Sequence, residues 1–240
     1  MEAIILAGGK GTRLRSVVSD VPKPMAPLDA KGTPFLAFLL AELQNQGVTR
    51  VILSVGYKAE IIEDYFGTAF TGSQGLPPLE LIYAREEQPL GTGGGVKAAL
   101  ELCREPQVFL LNGDTFFDVN LTAMRQWHYA LGADVTLAAK EMFDFDRYGT
   151  LELTGGRIVS FREKEPCERG LINGGVYLLA RDLLQDFAQE KFSLEQDFLV
   201  PRVADGSLLV AAYKSNGYFV DIGIPEDYFR AQHDLLTHRV

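Results

Sequence analysis

Cysteine and histidine are scarce in this chain: 240 residues hold two cysteines, three histidines and one tryptophan. Cys103 and Cys167 lie far apart, and neither a Cys-x-x-Cys nor a Cys/His spacing is present, which leaves no pattern for a zinc site. Both cysteines read as reduced thiols of a reducing compartment. No apolar run reaches the ~18 residues that cross a bilayer. The start "MEAIILAGG" carries neither the basic segment nor the cleavage site of a secretory signal, so cytoplasmic residence is the expectation. Cations are outnumbered, with 23 Lys and Arg against 32 Asp and Glu and a net charge of −9. Such a field repels polyanions and argues against nucleic-acid or anionic-membrane partners. A small anion remains compatible with it, because clustered Lys and Arg, or a metal held by carboxylates, can reverse the potential inside one pocket. Also missing are a Ser/Pro-rich linker, a charge block and an internal repeat.

What is present is enough apolar side chain, 47% with 10% aromatic, to build a sizeable core. Short β-branched runs alternate with amphipathic stretches through the first half: "EAIIL", "RVILSVG", "LELIYA" and "QVFLLNGD" read as strands. Between them, "PFLAFLLAELQNQG", "KAEIIEDYFG" and "GGGVKAALELC" read as helices. That alternation predicts an α/β fold with a mixed, mostly parallel sheet and helices on both faces. In such sheets ligands bind at the carboxyl ends of the strands. Beyond Asp118, "ADVTLAAK", "YGTLELTGGRIVSFREK" and "LINGGVYLLA" predict antiparallel additions. Helices are expected over Arg181–Phe187 and Leu194–Val203, followed by a last strand pair, "LLVAAYKS" and "GYFVDIG", and a terminal helix from about Pro225. The economical organisation is one domain over 1–240, with a nucleotide half at about 1–118 and a second half at about 119–240.

The segment "LAGGKGTRLRSVVSDVPKP", Leu6 to Pro24, follows the first strand directly. Glycines after a strand let backbone amides approach a phosphate, since no Cβ holds the ligand away, and Arg13, Arg15 and Lys23 add cations. A dinucleotide-binding turn is disfavoured, because Leu14 stands where the third glycine belongs and the glycines do not open a helix. A Walker A loop is disfavoured too, since Lys10 precedes Gly11-Thr12 rather than following the last glycine.

The full string Leu6-Ala7-Gly8-Gly9-Lys10-Gly11-Thr12-Arg13-Leu14, followed by Pro22-Lys23-Pro24, resembles the signature of the sugar-1-phosphate nucleotidyltransferases. The resemblance runs the length of the chain through Pro89-Leu90-Gly91-Thr92-Gly93-Gly94, Asn112-Gly113-Asp114, Tyr148-Gly149-Thr150, Glu163-Lys164, Asn173-Gly174-Gly175 and Val220-Asp221-Ile222-Gly223. It departs from many members after Arg13-Leu14, where "RSVVSD" replaces Pro-Leu-Thr. Several segments, among them "RLRSVVSDVPKPMAP" and "EEQPLGTGGGVKAAL", look closest to D-glycero-α-D-manno-heptose 1-phosphate guanylyltransferases. Mannose 1-phosphate guanylyl transfer and N-acetylmuramate 1-phosphate uridylyl transfer are the neighbouring activities. A catalytically silent nucleotide-sugar-binding module is the alternative of another class.

The resemblance implies a single nucleotidyltransferase domain that joins a nucleoside triphosphate, GTP by the nearest segments, to a sugar 1-phosphate with release of pyrophosphate. It implies Mg²⁺ on Asp114 and Asp221, each at the end of an apolar run, and catalytic roles for Arg13, Lys23 and Asp114. Arg13's planar fork of donors suits the triphosphate and the departing pyrophosphate. Nucleotide contacts fall by resemblance on Gly8, Gly9, Gly11, Thr12, Arg13, Gly91 and Thr92, with Glu86 or Glu87 accepting from a guanine edge. Thr92 is also readable as a helix cap. Sugar contacts fall on Gly149, Glu163, Lys164, Asn173 and Gly174, with Glu163 and Lys164 also readable as a surface ion pair. Lys10 and Arg15 stay open between phosphate contact and solvated surface. His128, His233 and His238 receive no catalytic role. The oligomeric state stays open, a homo-oligomer included.

Overall fold

The computed structural model describes residues 1–9, 14, 17–72 and 75–237. Lys10, Gly11, Thr12, Arg13, Arg15 and His238 therefore lie outside the described residues. In chain order the first half builds β1 (Glu2–Leu6), α1 (Phe35–Asn45), β2 (Arg50–Val55), α2 (Ala59–Phe66), β3 (Ala69–Phe70), β4 (Leu79–Arg85), α3 (Gly91–Leu100), β5 (Gln107–Asn112) and β6 (Thr115–Phe117). The second half adds α4 (Leu121–Leu131), β7 (Val135–Phe145), β8 (Gly149–Thr154), β9 (Arg157–Lys164) and β10 (Cys167–Ala180). It closes with α5 (Val200–Ala204), β11 (Val210–Ser215), β12 (Phe219–Asp221) and α6 (Pro225–Thr237).

Ten of these strands form one sheet in the order β3-β4-β2-β1-β5-β10-β7-β11-β9-β8, and β12 pairs with β6 in a small second sheet. β4, β2, β1 and β5 run parallel, while β10 is antiparallel to both β5 and β7. The sheet is thus mixed, parallel in its first half, and it recruits antiparallel strands beyond β5. The parallel strands are apolar on both faces because both faces are covered. Ala3 and Ile5 of β1, Val51 and Leu53 of β2, and Phe109 and Leu111 of β5 join the core that packs α1, α2 and α6. Ile4, Ile52, Val108 and Leu110, one residue out of phase, join the core beneath α3. The period of two along a strand delivers alternate side chains to opposite layers.

Helix boundaries follow local chemistry. Asn120 caps α4 by accepting from the Ala123 amide at 2.9 Å, and Gly132 closes that helix at φ +59°, as the short polar side chain and the missing Cβ allow. Pro225, Glu226 and Asp227 open α6, a proline and two acids in the turn where each is favoured.

Two expectations need correction. Arg181–Phe187 is not a helix: its amide bonds reach back three residues, from Leu183 to Ala180, Gln185 to Asp182 and Phe187 to Leu184, giving successive turns. The helical segment after it starts as a single stretch of π-helix, Leu194–Leu199, before α5. The last two strands do not pair with each other. β11 lies parallel to β7, and β12 is antiparallel to β6.

Candidate active site

β1, β2, β4 and β5 deliver their carboxyl ends to one rim of the sheet, and the chain reverses its direction of growth at β1, with β2 on one side and β5 on the other. A ligand cleft is expected at such a switch in strand order. A cleft of about 560 Å³ opens there, lined by Gly8 and Gly9 after β1, Tyr57 after β2, and Glu86, Glu87 and Gly91 after β4. The glycines have separable reasons. A Cβ on Gly8 would stand 3.0 Å from Glu86 Oε1, whereas one on Gly9 would meet nothing within 4 Å. Gly91 has φ +74°, and a Cβ there would sit 2.5 Å from the Phe192 carbonyl. That position opens α3 in a conformation L side chains rarely adopt.

Glu86 is held in place from two sides. Its Oε1 accepts from the Ser54 hydroxyl at 3.1 Å and its Oε2 from the Leu90 amide at 3.1 Å, so this carboxylate braces the turn into α3. Glu87 is exposed at the same cleft. Thr92 does not cap α3. Its Oγ1 accepts from the Leu194 amide at 3.0 Å, and the Gly93 amide donates to Phe192 O at 2.9 Å, which ties the start of α3 to the π-helical segment.

The neighbouring strand end carries the charged centre. Gly113 donates to Leu6 O at 2.9 Å, which closes the end of β5 onto the end of β1 and sets Asp114 beside the glycine-rich turn. Asp221 reaches the same place through the β12–β6 pairing, where it is opposite Thr115, and the Ile222 amide donates to Asp114 O at 3.0 Å. Residues 107 positions apart in sequence are thereby made neighbours by two short strands. Lys23 enters from a single 3₁₀ turn, Lys23–Met25, anchored by buried Pro24 and Met25. Its ammonium donates to Asp114 Oδ2 at 2.6 Å and to Asp221 Oδ1 at 3.4 Å, with only 12% of its side chain exposed. Burial, then the nearby Asp114 carboxylate, raises the Asp221 carboxyl above its ordinary range, and Lys23 opposes the shift.

These two carboxylates suit a hard divalent cation. Such an ion takes one or two carboxylates and fills its shell with phosphate and water oxygens. Among the described residues no group of three or more His, Cys, Asp or Glu could hold a metal by itself. The pair therefore fits a metal that shares its ligands with a substrate.

A second cavity of about 250 Å³ adjoins Asp221, bordered by Asn112, Arg147, Gly149, Lys164, Asn173 and Glu195 among others. Gly149 and Lys164 are register partners in the β8–β9 pair. Asn173 donates to Tyr177 Oη at 2.6 Å and to Glu195 Oε2 at 3.0 Å, and its own Oδ1 accepts from the Gly175 amide at 2.9 Å. Two residues expected to contact the sugar do not border this cavity. Glu163 is exposed and does not border the cavity that Arg162 and Lys164 line. Gly174 likewise turns away, where a Cβ would strike the Phe117 ring at 2.4 Å, and Gly175 borders the cavity instead. Tyr148 also borders it. Its phenol is pushed up to about 12 by burial, then by the charge of Asp221.

The structure thus brings Gly8, Gly9, Glu86, Glu87, Gly91 and Thr92 to one cleft, Gly149, Lys164 and Asn173 to the adjoining cavity, and Lys23, Asp114 and Asp221 together. Residue-level reading missed Tyr57, Arg147 and Glu195. Arg147 and Tyr57 sit beside quoted motifs or strand ends, which is a usable signal, whereas Glu195 has none.

The family model described as nucleotidyl transferase matches residues 2–238. A D-glycero-alpha-D-manno-heptose 1-phosphate guanylyltransferase of Aneurinibacillus thermoaerophilus is 47% identical over 236 residues, 98% of each chain. One from Campylobacter jejuni is 46% identical over 231 residues, covering 95% of this chain and 97% of that protein. Among solved structures, HddC from Yersinia pseudotuberculosis in complex with GMP-PN superposes with a TM-score of 0.83 at 37% identity, covering 96% of this chain and 97% of that one. An inositol-1-phosphate CTP transferase from T. maritima shares the fold, with a TM-score of 0.73 at 23% identity over 94% of this chain and 90% of that one.

Proposed function

This chain belongs to the nucleotidyl transferase family, and we propose that it transfers guanylyl from GTP to D-glycero-α-D-manno-heptose 1-phosphate, releasing pyrophosphate. The observation that carries the reading is the contact of Lys23 with both Asp114 and Asp221, beside the strand ends where Leu6 borders one cavity and its register partner Asn112 the other, together with close similarity to heptose 1-phosphate guanylyltransferases. One cavity takes the nucleotide and the other the sugar phosphate. Residues 1–118 supply the first and residues 119–240 most of the second.

A phosphate oxygen of the sugar 1-phosphate attacks the α-phosphorus of GTP, the new P–O bond forms in line, and the bond to the β-phosphate oxygen breaks. Both reactants are anions, so positioning and charge stabilisation dominate the barrier and no covalent enzyme intermediate is needed. Gly8 and Gly9 give the nucleotide backbone donors at close range, and Gly91 and Thr92 shape the base end of the cleft. Glu87 accepts from guanine N1 and N2, while Glu86 keeps the turn into α3 rigid. Lys23 moves its donors from the two carboxylates to the phosphates at the reacting centre, and Arg13 with Gly11 and Thr12 holds the triphosphate and the leaving pyrophosphate. Lys164 grips the sugar phosphate, and Gly149 and Asn173 meet the sugar hydroxyls. Asp114 and Asp221 would hold Mg²⁺, which neutralises charge on the phosphates and orients them. The cytoplasm, where nucleoside triphosphates are supplied, is the compartment for this chemistry, and among the described residues no helix is long and apolar enough to cross a membrane.

The test is pyrophosphate release with GTP, UTP, dTTP and CTP, each paired with heptose, mannose, glucose and N-acetylmuramate 1-phosphates, with EDTA and Mg²⁺ arms. GTP with the heptose phosphate is expected to lead, by roughly tenfold to a hundredfold in kcat/KM over other bases, because a carboxylate at the base edge leaves uracil or thymine poorly paired. A preference for UTP or dTTP overturns the guanylyl assignment. Binding without pyrophosphate release from any pair overturns the transferase assignment.

A further inference from the structure

Among the described residues, Arg147, Arg162 and Lys164 are the cations bordering the cavity beside Asp221. Arg162 is committed to Glu152. Arg147 is placed differently. It stands in the loop between β7 and β8, its Nη2 donates to Asp227 Oδ2 at 2.5 Å, and its guanidinium lies 5.5 Å from the centre of the Tyr148 ring. Asp227, at the start of α6, is buried and already has a second partner, because Arg230 Nη2 lies 3.0 Å from its other oxygen. Two guanidinium groups therefore share one carboxylate, and Arg147 is not held by a carboxylate of its own. Of the two arginines it is Arg147 that borders the cavity.

A structural tether alone does not need this arrangement. The bond to Asp227 engages one of the five N–H donors of a guanidinium, and the Tyr148 ring within cation–π range adds a second contact that holds the group beside the cavity. A positively charged fork with unused donors at the wall of a cavity, in a chain of net charge −9, matches a phosphate in shape and sign. We infer that Arg147, together with Lys164, binds the phosphate of the sugar 1-phosphate, and that Asp227 positions it for that contact. The inference rests on the transferase reading and adds a residue that the motif reading left without a role.

The test compares wild type with R147A, R147K and D227N in steady-state pyrophosphate release, using D-glycero-α-D-manno-heptose 1-phosphate and mannose 1-phosphate as probes, with thermal melts of each protein. For R147A, KM for the sugar phosphate is expected to rise roughly ten- to a hundredfold, the worth of one charge-assisted hydrogen bond, while KM for GTP stays unchanged. R147K recovers part of the loss, because it restores charge without the fork, and added guanidinium ion recovers part of it in R147A. D227N gives a smaller rise, with Arg147 still present. An unchanged sugar-phosphate KM in R147A overturns the inference. So does a parallel loss in both KM values and in melting temperature that D227N reproduces in full, for then Arg147 only ties the loop to α6. Should R147A fail to fold, the split between the two KM values in R147K decides. Absence of turnover in wild type with every pair would instead overturn the transferase reading, an outcome recognisable because it does not depend on the variants.

Discussion

Replacing Gly113 with alanine should separate two strand ends on which the whole centre depends. A Cβ at this position would lie 2.4 Å from Leu6 O and 3.1 Å from Leu6 C, whereas real Cβ contacts essentially never fall below 3.0 Å. The obstacle is backbone, so no rotamer change relieves it, and the ends of β1 and β5 must part by roughly half an ångström or more. Overpacking of this kind costs about 1–3 kcal/mol. The same shift stretches the Gly113 amide's bond to Leu6 O, now 2.9 Å, whose loss adds about 1 kcal/mol. Together these predict a destabilisation of about 2–4 kcal/mol, or roughly 5–15 °C in Tm for a chain of this size. Asp114 is the next residue and Gly8 lies two beyond Leu6, so kcat should also fall, by roughly ten- to a hundredfold, as misplacement near 1 Å does elsewhere. Urea unfolding measures the first effect and pyrophosphate release the second. G9A is the control, since its Cβ meets nothing within 4 Å and its stability should match wild type. A G113A protein with wild-type stability and kcat would refute the reasoning.

Two further outcomes are expected. R13A and K23M should each lower kcat by roughly 10²–10³, the cost of deleting a preorganised charge stabiliser, with R13K rescuing only in part, and wild-type turnover in either variant would remove that residue from the mechanism. Acidification should weaken the fold through His128, buried between Gln107 and Thr136 at 3.0 and 2.9 Å. Burial, opposed by Asp134, lowers its pKa below 6.5, so the unfolded chain takes up the proton first. Its contribution to stability is thus present above about 6.5 and lost as pH falls from there toward the folded value. Urea unfolding at pH 7.5 and 5.5 should show a smaller drop in H128Q than in wild type, and equal drops would count against this reading.

The parallel half of the fold was legible because its strands carry apolar residues on both faces, and Pro225 marked the terminal helix by local chemistry; α4, capped by Asn120 and closed by Gly132, was not anticipated. Pairing partners were not legible. β12 is three residues long, and its partner β6 is chosen by long-range packing that strand propensity does not encode. Arg181–Phe187 has helical composition, yet its chain settles into turns that cover the second core through Leu184. At the site, the motifs singled out Lys23, Asp114 and Asp221, each at a strand end or in a proline-bounded turn, and the fold brings these three into contact. Glu163 and Gly174, expected from their motifs to contact the sugar, do not border the cavity beside Asp221. Glu195 stayed hidden because its place depends on the π-helical segment folding back over α3.

The most direct measurement is a crystal structure of this protein with a non-hydrolysable GTP analogue, heptose 1-phosphate and Mg²⁺. The account predicts guanine in the cleft of Gly8, Gly9 and Gly91, Mg²⁺ on Asp114 and Asp221 allowing for a bridging water, and the Lys23 ammonium shifted from the carboxylates onto phosphate oxygens. Nucleotide bound away from that cleft, or a metal held by neither aspartate while Lys23 keeps its 2.6 Å bond to Asp114, would contradict it.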